Sequence, residues 1–275
     1  MEKAILIFNI NAGNKNIFNK VLKIKNKLSD IYDVDLFSYT KIEDIAKILL
    51  RKNYAYLFLC GGDGSFNNLI NFVMKNEQIN FPCIGYIPTG TMNDCLKGYG
   101  INSINSSIKI IKNNHQENIL LGKCNDQYFS YLFALGAYSD ISYVAKRKNK
   151  KNEGKLSYYF KSIKEAFKKQ NYSFYINDKL FESPFIMYLN GSNVGGFKIN
   201  KQFFNDKKGN FYITRKGIFN GLLTYLGKKN RIILNGDRFI IKVVKSVPCC
   251  LDGEKYISNQ FDISFIKSNF KILVK

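Results

Sequence analysis

The chain has one histidine and no paired-cysteine motif, and its 21 acids face 42 bases. Each shortage excludes something. The single histidine, His115, sits in the polar stretch Lys112-Asn113-Asn114-His115-Gln116-Glu117, which reads as solvated. Histidine-based acid–base catalysis and a Cys/His zinc site are therefore excluded. The six cysteines (Cys60, Cys83, Cys95, Cys124, Cys249, Cys250) include no C-x-x-C pair. They read as reduced, small apolar core residues, which fits a cytoplasmic chain. No apolar run has the length of a membrane span, and no signal-peptide layout is present. The glycine loops lack G-x-x-x-x-G-K-[ST], so no P-loop is present, and Asn67 stands where the dinucleotide fingerprint needs a glycine. There is no internal repeat, no long linker and no recognised nucleic-acid motif.

The 275 residues suffice for one large domain or two ordinary ones. Net charge is +21 and uneven: residues 1–119 hold 14 bases and 10 acids, and residues 120–275 hold 28 and 11. A second half at +17 attracts phosphates, whether on nucleic acid or on anionic lipid. AT-rich codons would also raise Lys, Asn and Ile, although they do not explain the asymmetry.

Short apolar runs at 3–8, 34–37, 54–60 and 84–87 predict strands, with helical spacing between them at Ile17–Leu28, Ile45–Leu49 and Leu69–Val73. That alternation predicts a parallel, doubly wound α/β domain over 1–118. From residue 119 to 275 short apolar or alternating runs dominate (128–135, 172–176, 185–190, 210–214, 231–234, 239–244, 261–266, 270–274), punctuated by Asn190-Gly191, Asn235-Gly236 and Asp252-Gly253. These predict an antiparallel β domain. Leu156–Phe167 is the exception, a helix stripe read as core packing. The basic run at 146–151 reads as a solvated loop or a contact with a membrane surface.

Three loops follow predicted strands of the first domain: Asn9-Ile10-Asn11-Ala12-Gly13-Asn14, Gly61-Gly62-Asp63-Gly64-Ser65, and Pro88-Thr89-Gly90-Thr91-Met92-Asn93-Asp94. They belong on the carboxyl edge of one sheet, where open α/β folds bind ligands. Glycines let backbone approach a ligand, and a helix N-terminus offers free N–H groups to an anion. Alone, Gly61–Ser65 fits either a phosphate cradle or a tight turn capped by Asp63.

Together the motifs point further. Gly61–Asn67 resembles the G-G-D-G-T-x-N motif of the diacylglycerol kinase catalytic domain family, which includes soluble bacterial lipid kinases and sphingosine and ceramide kinases. Pro88–Asp94 is similar to its P-x-G-T-x-N-D motif, and Leu251-Asp252-Gly253-Glu254 resembles its late V-D-G-E motif. The resemblance runs from Asn9 to about Val274. It implies an α/β domain and a C-terminal β-sandwich with the active site in the cleft between them. It also implies transfer of the ATP γ-phosphate to the hydroxyl of a lipid, diacylglycerol or a relative. By that resemblance Asn9, Asn11, Ala12, Gly13, Asn14, Thr40, Gly61, Gly62, Asp63, Gly64, Ser65, Asn67 and Thr91 hold ATP. Asp63 and Asp94 fix Mg²⁺ through a water network, and Glu254 is the general base. The basic second domain would then rest on anionic phospholipid headgroups at the inner face of the membrane. Its edge strands would allow a homodimer, and no specific nucleic-acid partner is expected.

Departures from the family pattern are specific. Ser65 replaces Thr, Asn68 stands where many members have Glu, and Leu120 takes the place of an Asp. The first loop lacks the usual Pro and ends in Asn14 rather than a base. Lys207 and Lys208 replace two acids, so the structural Mg²⁺ site of some members at 205–210 is expected to be absent. GGDG is shared with NAD kinases, which keeps a kinase of a soluble substrate, or a relative that has lost catalysis, as alternatives.

Overall fold

The protein is described by a computed structural model covering residues 1–11, 16–136, 172–190, 193–194, 197–198, 209–215 and 231–275. The expected nucleotide contacts Ala12, Gly13 and Asn14, the basic run 146–151, the helix stripe 156–167 and the two lysines at 207–208 lie outside the described residues. The chain divides into two compact units, Met1–Ile119 with Lys267–Lys275, and Leu120–Ile266.

The first unit alternates β1 (Lys3–Asn9), α1 (Ile17–Ser29), β2 (Asp33–Tyr39), α2 (Asp44–Leu49), β3 (Tyr56–Gly61), α3 (Asp63–Lys75), β4 (Cys83–Pro88), α4 (Ile104–Asn113) and the short β5 (Gln116–Glu117). The apolar centre of β1 and all of β3 are buried, the continuous pattern of parallel strands covered on both faces. Strands β2, β1, β3 and β4 lie side by side in that order and all parallel, so their carboxyl ends share one edge. The chain turns from β1 to β2 on one side and to β3 on the other. That is a topological switch point, where such sheets leave a crevice.

The helices are explained by spacing and caps. Val21, Ile24 and Leu28 are the buried face of α1, and Phe66, Leu69, Ile70, Val73 and Met74 that of α3. Helix α4 opens with a capping box in which Ser103 and Ser106 exchange side-chain and backbone bonds, and Asn114 closes it in the left-handed conformation.

The second unit holds β6 (Leu120–Cys124), β7 (Gln127–Phe129), β8 (Leu132–Gly136), β9 (Tyr172–Ile176), β10 (Lys179–Ser183), β11 (Phe185–Leu189), β12 (Asn193–Val194), β13 (Phe197–Lys198), β14 (Gly209–Thr214), β15 (Arg231–Gly236), β16 (Arg238–Leu251) and β17 (Glu254–Lys267). Its pairings in register are antiparallel. The strands from β15 through β14, β11, β8, β16 and β17 to β6 and β7 form one continuous ladder. Tyr188 of β11 and Phe265 of β17 lie three places apart in that ladder, roughly 14 Å in a flat sheet. Their rings are 4.4 Å apart. The ladder therefore folds over into two layers around a shared core containing Phe129, Phe133, Phe174, Phe211, Phe239 and Phe261. Strand β16 makes the corner: its first half pairs with β9 and its second half with β8, with a register shift between Lys242 and Val247.

The sequence boundary put all of 119–275 in the second domain, whereas the structure returns the last nine residues, Lys267–Lys275, to the first unit. Strand β18 (Ile272–Leu273) is inserted between β4 and β5, parallel to one and antiparallel to the other. Burial of Phe270, Ile272, Leu273 and Val274 drives that return.

Candidate active site

The carboxyl edge of the first sheet collects most of the expected residues. Register puts Asn9 opposite Tyr39, Phe8 opposite Cys60 and Gly61 opposite Pro88, so β1 to β4 end at one level. Asn9, Thr40, Gly61 and the loop after Pro88 therefore line one rim. Asn9 Oδ1 accepts from Asn11 N–H at 2.8 Å, which curls the first loop back on itself.

The two glycine loops meet backbone to backbone. Gly61 carbonyl oxygen accepts from Thr89 N–H at 2.8 Å and from Gly90 N–H at 3.3 Å. A Cβ on Gly90 would lie 2.6 Å from Gly62 Cα, so only glycine permits this approach. Asn93, at φ +53°, accepts from Gly90 N–H at 3.0 Å and returns a bond to Gly90 carbonyl oxygen at 2.7 Å. This fixes Thr91, exposed at the rim, on a braced loop.

Gly62 caps α3 and Asp63 is its first residue, so the amides of the first turn face the same rim. Asp63 Oδ1 accepts from Cys95 N–H at 2.9 Å, linking the first acidic residue to the second loop. Asp94 is buried and its Oδ1 pairs with Lys97 Nζ at 2.5 Å. Tyr86 Oη donates to Asn93 Oδ1 of the second loop at 3.3 Å. Its phenol is pushed far up, first by burial and then by the nearby Cys95, Asp63 and Asp94. Tyr39 is hydrogen-bonded with Ser65 and is pushed up to about 12 by burial.

Asn67 belongs to α3 and Glu254 to the second unit. Asn67 is buried one turn into α3, where Asn71 Nδ2 donates to its carbonyl oxygen at 3.0 Å and its Oδ1 at 3.3 Å. Asn68, in contrast, is exposed. In the second unit Glu254 is exposed at the start of β17 and pairs with Leu251 across Asp252-Gly253. Those two residues take φ +50° and +89°, a two-residue hairpin turn.

Tyr86, which bonds Asn93, Lys97, which pairs with Asp94, and Ser130, which bonds the buried Asp252 carboxylate, were not among the expected site residues, and Asn93 entered only as part of the Pro88–Asp94 motif. Tyr86 gave one signal, a polar tip inside the apolar run 84–87. Lys97 gave another, three residues beyond Asp94. Ser130 gave none, because its partner Asp252 is distant in sequence.

Among the described residues no group of three or more His, Cys, Asp or Glu side chains forms a ready metal cage. Asp63 and Asp94, two carboxylates beside the glycine loops, are nevertheless donors of the type Mg²⁺ takes, since that ion keeps waters and draws its remaining oxygens from substrate phosphates.

The first unit is thus an α/β fold that gathers backbone donors and two acids at the topological switch point of its parallel sheet. Residues 3–124 match the diacylglycerol kinase catalytic domain family. A diacylglycerol kinase of Staphylococcus saprophyticus is 30% identical over 207 residues, 72% of this chain and 67% of that protein. Its Staphylococcus epidermidis counterpart is 30% identical over 208 residues, and the match covers 65% of that protein's length. A crystal structure of a diacylglycerol kinase from Bacillus anthracis shares the fold, with a TM-score of 0.79 over 100% of this chain and 97% of the other at 22% identity. The chain belongs to the diacylglycerol kinase catalytic domain family.

Proposed function

We propose that the protein is a lipid kinase that moves the γ-phosphate of ATP to the hydroxyl of diacylglycerol or a related lipid. The observation that carries this reading is the joined pair of glycine loops, with Gly62 against Gly90 and Asp63 tied to Cys95. Family membership gives that rim its chemistry.

Phosphoryl transfer requires held phosphates, offset charge and an oriented nucleophile. The first-turn amides of α3, the hydroxyls of Ser65 and Thr91 and the loop at Asn9–Asn11 hold the phosphates. Mg²⁺, when bound, offsets phosphate charge, and Asp63 and Asp94 are the residues that would hold it through water. One oxygen of Asp94 is already engaged by the ion pair with Lys97. Glu254 takes the proton of the lipid hydroxyl as its oxygen bonds to the γ-phosphorus and the bond to the bridging oxygen of ADP breaks. The basic second part favours anionic headgroups, which places the enzyme on a membrane surface. No helix among the described residues is long and apolar enough to cross a membrane.

The test is incubation of the purified protein with labelled ATP and a panel of lipids. Labelled lipid phosphate supports the reading. Label appearing on NAD and on no lipid overturns it in favour of a soluble substrate.

A further inference from the structure

Asp252 has more holding it than a hairpin turn requires. Its φ of +50° is met by Asn as readily as by Asp. Yet its carboxylate is 1% exposed and takes four hydrogen bonds from one short stretch of chain. Oδ2 accepts from Ser130 N–H at 2.5 Å and from Ser130 Oγ at 2.8 Å. Oδ1 accepts from Tyr131 N–H at 3.0 Å and Leu132 N–H at 2.9 Å. Asp252 N–H donates to Leu132 carbonyl oxygen at 2.9 Å, so backbone and side chain close on the same three residues.

That stretch is itself pinned. Asn190 N–H donates to Tyr131 carbonyl oxygen at 2.7 Å. Asn190 Nδ2 reaches Leu120 carbonyl oxygen at 2.9 Å and Ser130 carbonyl oxygen at 3.3 Å. The turn is thus tied to β6, β8 and β11, and the residue emerging from it, two positions on, is Glu254.

We infer that Asp252 is a positioning residue for Glu254, a carboxylate clamp that fixes where β17 starts and from which point the base is presented. This rests on the proposed role of Glu254. Charge is required because only an ionised carboxylate accepts four bonds without offering a donor of its own. Asp252→Asn keeps the turn but puts an NH₂ against N–H donors, which loosens the start of β17. A misplacement of about 1 Å costs a base roughly 100-fold in rate.

The test is a double-mutant cycle of Asp252→Asn and Glu254→Gln, read by lipid phosphate formation and by amide hydrogen exchange. Asp252→Asn is expected to lower kcat about 100-fold with the KM for ATP unchanged, and Ser130→Ala, which removes one of the four donors, to lower it less. The double variant is expected to be no slower than Glu254→Gln alone, because Asp252 acts only through Glu254. Exchange at residues 252–256 should quicken while the strand β11 stays as in the parent. Additive losses in the cycle, or unchanged exchange at 252–256, would overturn the inference. If the parent chain phosphorylates no lipid, the kinase reading fails, and the exchange measurement still decides whether Asp252 holds Glu254.

Discussion

Lysines answer two acids of the first unit in different surroundings. Lys52 and Tyr54 both bond Asp35 Oδ2 at a half-exposed site, and the lysine bond first, then the tyrosine, hold that carboxyl below its usual range. A depressed folded value means that Asp35 contributes stability above the unfolded carboxylate pKa, about 3.9, and loses it as pH falls through the folded value. Asp35→Asn is expected to flatten the acid limb of a Tm–pH curve below about pH 4 by lowering Tm slightly at neutral pH, where the contribution of this half-exposed pair is lost, while the most acidic Tm stays that of the parent. At the Asp94–Lys97 pair only 1% and 16% of the side chains are exposed. Lys97→Met leaves a buried carboxylate without its cation, a loss of about 3 kcal/mol, measurable by urea unfolding. A change below about 0.5 kcal/mol would mean that the pair is not a structural one.

Elements show why some of this was legible in sequence and some was not. The strands β1, β3 and β4 have apolar centres and end at asparagine, glycine and proline, so strand, loop and helix could be read locally, and only β2 (Asp33–Tyr39) is interrupted by acid and serine. The glycines at 61, 62 and 90 carried the site for the same reason. By contrast, β16 and β17 are 14 residues each, and only the apolar stretches 239–244 and 261–266 stood out. The rest, Lys245–Leu251 and Glu254–Gln260, mixes lysine, serine, proline and exposed residues because β16 turns a corner there. The Asn177-Asp178 turn between β9 and β10, with φ of +47° and +62°, was missed because its neighbours Lys179–Ser183 lack alternation. Gly90→Ala tests the joined loops directly. Its Cβ would meet Gly62 backbone at 2.6 Å, so one loop must move. ATP affinity is expected to fall at least about tenfold by calorimetry, with Tm within a few degrees of the parent, since the strand core is untouched.

At the level of the whole molecule, local patterning delivered the class of each unit but not the return of Lys267–Lys275, because a C-terminal strand looks the same wherever it pairs. The +17 of residues 120–275 belongs to this scale too, since it acts as a field rather than a contact. Binding to vesicles containing anionic lipid is expected to weaken as salt rises from 0.05 to 0.5 M, on the order of a Debye length shortening from about 14 to 4 Å. Equal binding to neutral vesicles would remove the electrostatic account. The central claim is phosphoryl transfer at the rim built by Gly61–Ser65 and Pro88–Asp94. Its most direct measurement is label transfer from γ-labelled ATP to a lipid panel, run beside Asp63→Ala and Glu254→Gln. The account predicts lipid phosphate from the parent chain and a loss of at least about 100-fold in each variant. No lipid phosphate from the parent, or undiminished transfer by Asp63→Ala, would contradict it.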